Sequence, residues 1–86
     1  MLHLIAFDDL STDLARACLT LYRDGDVCVF SDRGHLIAGE FPRRGAAYLL
    51  DDGAPPAARP ADLSVIDHDR LVALIAEHGP VTSWYP

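Results

Sequence analysis

The chain predicts an α/β domain with a largely parallel sheet of four to five strands, and three observations carry that expectation. Short apolar runs alternate with segments of helical periodicity, the pattern of strands joined by crossover helices. The run Val27, Cys28, Val29, Phe30 is apolar at every position, as a strand covered on both faces must be. At 86 residues the chain has room for one domain, spanning 1–86.

The elements follow in order. Leu2 to Phe7 is an apolar run that stops at Asp8 and Asp9, and it reads as a first buried strand with His3 near its start. From Ser11 the periodicity turns helical. Leu14, Ala17, Cys18, Leu21 and Tyr22 share one face, and Asp13, Arg16, Thr20 and Arg23 share the other. Ser11 or Thr12 can cap the helix start, because a side-chain oxygen there accepts from an orphan backbone N–H. Gly25 supplies the positive φ that ends the helix, and the strand Val27 to Phe30 follows. Asp32 to His35 is a turn, Leu36 to Ala38 a short apolar patch, and Glu40 to Gly45 a loop. Ala46 to Leu50 and Leu63 to Ile66 read as the third and fourth strands. Between them, Gly53 to Pro60 carries Pro55, Pro56 and Pro60, which excludes an ordinary helix throughout. A second helix runs from about Asp67, its N-cap, to His78, with Leu71, Val72, Leu74 and Ile75 as its apolar face. Gly79 and Pro80 stop it, and Val81 to Tyr85 forms a last strand or a docked tail. Two helices are too few to cover both faces of such a sheet, so the pattern predicts a partner over part of it.

Composition narrows the function. Seven arginines, no lysine and thirteen acids give a net charge of −6, which argues against direct nucleic-acid binding. Half the residues are hydrophobic, more than a small core needs, and the excess predicts apolar surface for a partner. Two cysteines make no disulfide scaffold and have neither redox nor zinc spacing. With no basic leader before the first strand and no apolar run of about 20 residues, the expected setting is the cytoplasm, with no membrane.

Several residue groups carry a chemical reading beside a structural one. Asp8, Asp32, Asp51 and Asp67 follow strands, where ligands of parallel sheets bind, and such a rim suits a magnesium ion. Aspartates also make turns and helix caps. Asp8, Asp9 and Asp51 parallel the acidic triad of phospho-accepting receiver domains, but the lysine of that family is missing. No glycine-rich phosphate loop follows the first strand, and no cofactor is expected. The histidines His3, His35, His68 and His78 show no paired ligand spacing, and Asp67 to Asp69 reads as a cap and a solvated turn. Arg33, His35, Arg43 and Arg44 are the only locally basic segment, either a solvated loop or a docking patch for an acidic protein surface. Trp84 and Tyr85 read either as core or as an interface anchor.

The segments MLHLIAF, ARACLTLYRDGD, VCVFSD, AYLLDD, LSVID, HDRLVALIAEHG and VTSWYP, in this order and spacing, resemble the DsrH/TusB family of sulfur-relay proteins over nearly the whole chain. The chain differs from the family in Arg33, which separates Asp32 from Gly34, and in the short proline-rich segment from Gly53 to Pro60. The resemblance implies a DsrE-like, flavodoxin-like fold and a hetero-oligomer with related TusC/DsrF-like and TusD/DsrE-like subunits. It implies a sulfurtransferase complex handing on persulfide sulfur, for 2-thiolation of the tRNA wobble uridine or for bacterial sulfur oxidation. The main sulfur-carrying cysteine of that family belongs to the TusD/DsrE-like partner, but some members have a cysteine in the first helix, and Cys18 matches it.

Cys18 is therefore the candidate catalytic residue, expected nearer the surface than Cys28, which a doubly covered strand would bury. Against a carrier role, Cys18 lies on the apolar stripe, where cysteine serves as a small core hydrophobe. It also sits in the second half of its helix, where the dipole disfavours a thiolate. The alternatives are a non-catalytic scaffolding subunit of the same assembly and, after it, a receiver-like regulatory domain.

Overall fold

A computed structural model describes residues 1–51 and 63–86; the proline-rich segment from Gly53 to Pro60 lies outside the described residues. The elements are β1 (Leu2–Ile5), α1 (Asp13–Leu21), β2 (Val27–Phe30), a 3-10 helix (Asp32–Leu36), β3 (Ala47–Leu50), β4 (Ser64–Ile66), α2 (His68–His78) and β5 (Val81–Trp84). They build one five-stranded sheet in the order β4-β3-β2-β1-β5, parallel at every pairing. The predicted α/β class and parallel sheet hold, with the tail as a true fifth strand beside β1.

The strand order explains where the helices lie. From β1 the chain steps outward to β2 and β3, and after β4 it returns across the sheet to β5. Right-handed crossovers then put connections made in opposite directions on opposite faces. On one face Ile5, Cys28, Phe30 and Leu49 pack against Ala15, Cys18 and Tyr22 of α1 and against Ile37, Ala38 and Phe41 of the β2–β3 connection. On the other, Leu2, Val27, Val29, Leu50 and Ile66 pack against Leu71 and Leu74 of α2. The connection after β2 thus covers sheet that a third helix would otherwise cover, because its apolar patch folds inward.

Local chemistry sets the helix ends. Thr12, not Ser11, is the N-cap of α1, its Oγ1 accepting from Ala15 N at 3.2 Å. Asp67 caps α2 by accepting from Arg70 N at 2.8 Å. Two expectations for α1 are corrected. Its inward face is Leu14, Ala15, Cys18, Leu19 and Tyr22, while Ala17 and Leu21 are exposed. The observed face is rotated from the expected one by part of a residue step, and apolar periodicity cannot resolve so small a rotation. The helix also ends at Leu21, whose C-cap is Tyr22 in extended backbone, and Gly25 (φ +87°) serves the following turn instead. On α2, Val72 stands out from the sheet at 64% exposure rather than joining the apolar face. The first strand is also shorter than its apolar run: Ala6 and Phe7 are buried beyond its end. Gly34 is where a glycine is demanded most, since a Cβ there would stand 2.1 Å from Ile5 O. No helix among the described residues is long and apolar enough to cross a membrane.

Candidate functional site

The two cysteines lie on one face of the sheet, Cys18 on the buried side of α1 and Cys28 on β2 beneath it. Both are free, and both have 0% exposure. This corrects the expectation that Cys18 lies nearer the surface: α1 presses its inner stripe directly onto the sheet, and Cys18 is part of that stripe. Burial pushes the Cys18 thiol up to about 12, and the neighbouring Cys28 adds to the effect. Burial likewise raises Cys28 to about 12; the Tyr22 hydroxyl and the Arg43 guanidinium pull it down, and Asp26 opposes them. At pH 8 a thiol with that pKa is thiolate in only about one molecule in 10⁴. Neither sulfur is poised to attack an incoming persulfide in this conformation.

The most organised polar group in the structure is a chain of hydrogen bonds that begins on β1. His3 is fully buried on β1, between β2 and β5. Its Nδ1 accepts from Trp84 Nε1–H at 3.0 Å, and its Nε2 lies 2.9 Å from Asp26 Oδ2. An indole nitrogen can only donate, so Nδ1 is the acceptor and Nε2–H donates to Asp26. The rings of His3 and Trp84 lie 16° from parallel, which suits an in-plane N–H···N bond. Asp26 also accepts from Arg23 N at 3.0 Å and from the Met1 ammonium at 3.2 Å. Burial pushes its carboxyl up, but the bonds from His3, Arg23 and Met1 outweigh that and hold it below the usual carboxylate range. Tyr22 packs edge-on to His3, 5.4 Å between centroids. The network ties β5, β1 and the entry to β2 together. Within the chain the Trp84 indole packs, partly buried, against the core, whereas Tyr85 is half exposed.

Sequence reasoning did not assemble this group. The signals were a histidine inside an apolar run, which needs partners if buried, and an aspartate immediately before a fully apolar strand. The bond between His3 and a tryptophan 81 positions away is a product of topology alone.

At the carboxyl ends of the strands the acids are occupied mainly with structure. Asp8 Oδ2 accepts from Arg33 Nε at 2.7 Å. Asp9 accepts from Ser11 N at 2.8 Å and from Ser11 Oγ at 2.6 Å, making the turn into α1. Asp8 and Asp9 therefore do not stand open beside Asp51 as a receiver triad would. Among the described residues, no group of three His, Cys, Asp or Glu side chains is placed to hold a metal ion. Ser31 Oγ lies 3.1 Å from Tyr85 OH, a bond that spans from β2 to β5 across the end of β1. In the 3-10 helix, His35 Nε2 is buried without a hydrogen-bond partner among the described residues.

No family model matches the chain, and no curated protein matches it significantly.

Proposed function

We propose that this chain is a subunit of a cytoplasmic sulfur-relay assembly and that it supports the assembly rather than carrying sulfur itself. The sequence resemblance to the DsrH/TusB family supports the relay, and the five-stranded parallel sheet is compatible with it. The observation that favours a supporting role is the burial of both thiols, at 0% exposure each. Persulfide transfer is an attack by thiolate on sulfur, so it requires access and ionisation together. Cys18 and Cys28 have neither. On this reading the TusD/DsrE-like partner provides the acceptor cysteine, and this chain binds no tRNA, in keeping with its net charge of −6. Two free buried cysteines suit a reducing compartment.

Co-expression with TusC/DsrF-like and TusD/DsrE-like subunits is the test. The expected result is co-purification as one sedimenting species, with persulfide sulfur accumulating on the TusD/DsrE-like cysteine. A monodisperse monomer that ignores both subunits would sink the reading.

A further inference from the structure

The parallel topology sorts the arginines by end. Arg23 lies in the turn leading into β2, and Arg43 and Arg44 lie in the segment leading into β3, so all three reach the amino-terminal end of the sheet. Arg33 follows β2 and goes to the opposite end, where Asp8 holds it. The basic segment read from Arg33 to Arg44 is therefore split in space, and Arg23 joins the cluster in place of Arg33.

The two loops that carry the cluster are tied to each other. Gly25 N donates to Arg44 O at 3.1 Å. Arg44 N donates to the Tyr22 hydroxyl, Arg44 Nη1 donates to Tyr22 O at 3.3 Å, and the guanidinium lies 5.8 Å from the Tyr22 ring centroid. Gly45 makes the approach possible, since a Cβ there would stand 2.6 Å from Asp26 O. Arg23 and Arg44 are exposed on this platform. Of the nearby acids, Asp26 is engaged by His3, Arg23 N and Met1, and Asp24 is exposed.

From this arrangement we infer that the amino-terminal end of the sheet is a docking surface for an acidic stretch of a partner protein. On a chain of net charge −6, the exposed Arg23 and Arg44 on this platform orient an anionic partner to this end. The guanidinium fork matches carboxylates in pairs, and the rigid platform lowers the ordering cost of the contact. A nucleic acid fits less well. Three arginines neutralise few phosphates, Asp24 stands among them, and single-stranded bases need exposed aromatic platforms. Tyr22 is buried, Trp84 is bonded to His3, and exposed Tyr85 lies at the opposite end. The inference does not rest on the sulfur-relay reading.

The test titrates the full chain with a labelled oligoglutamate peptide and, separately, with a labelled oligouridylate of equal charge, at low and high salt. The expected result is peptide binding that salt weakens, reduced about tenfold by Arg23→Glu and unchanged by Arg16→Gln, a substitution on the far side of α1. The Arg23 side chain makes no hydrogen bond among the described residues, so its replacement spares the fold, and Arg23→Gln serves as the milder variant with a smaller loss. Absence of peptide binding, equal binding by Arg23→Glu, or tighter binding of the oligouridylate would overturn the inference.

Discussion

His3 shows how a buried polar residue is kept in an apolar strand. Each ring nitrogen has one partner, Trp84 on one side and Asp26 on the other, and the partners' own chemistry fixes the tautomer. Trp84→Phe keeps most of the packing but strands Nδ1 as a buried acceptor. A loss of about 1–3 kcal/mol in denaturant unfolding is expected. Asp26 gives the pH dependence. Its folded carboxyl titrates below its unfolded value, so the stability it contributes is fully present above about pH 4 and is lost as pH falls through the lower, folded value. Asp26→Asn is expected to be less stable at pH 7 and to show a flatter stability profile in that acidic window. A parallel profile for the two proteins would mean that other carboxylates dominate. A substitution is expected to cost nothing at His35, whose Nε2 is buried and lacks a partner among the described residues. Replacing it with Phe removes that unsatisfied group and is expected to leave the melting temperature unchanged or raised.

At the scale of the elements, close backbone approaches matter as much as caps. Gly34→Ala would drive a methyl group into the Ile5 carbonyl at the end of β1. Its expected cost is about 1–3 kcal/mol or more, against about 1 kcal/mol for removing the α1 cap with Thr12→Ala. Thermal unfolding of the two variants side by side checks the ranking. The strands and helices are legible in the sequence because each has a local cause: the apolar run Val27 to Phe30, the cap at Asp67, the stop at Gly79 and Pro80. The expected third strand begins one residue early and the fourth begins at Leu63 rather than Ser64, differences at element ends where fraying is normal. Contact between distant segments is what local patterns do not reveal. The rotation of α1 that turns Ala15 rather than Ala17 inward, the inward fold of Ile37 to Phe41, and the meeting of His3 with Trp84 are set by packing across the sheet. The site is therefore less legible than the fold: sequence singles out Cys18 among the thiols but misjudges its accessibility.

At the scale of the molecule, the described residues leave the sheet open at both edges. β4 has no neighbour beyond it and β5 none beyond β1, among the described residues. Val65 on β4 is 36% exposed, Val81 on β5 37%, and Val72 on the outer side of α2 64%. Unpaired strand edges and exposed aliphatic side chains are what an assembling subunit covers with its partners. In the proposed supporting role, those surfaces hold the assembly together while the thiols stay in the core. Loading the co-expressed complex with a persulfide donor, then mapping added sulfur by peptide mass spectrometry and following transfer with Cys18→Ser in place, tests that role most directly. A supporting subunit predicts no added sulfur on Cys18 or Cys28 and undiminished transfer by the Cys18→Ser complex; sulfur on Cys18, together with transfer abolished by Cys18→Ser, would contradict it.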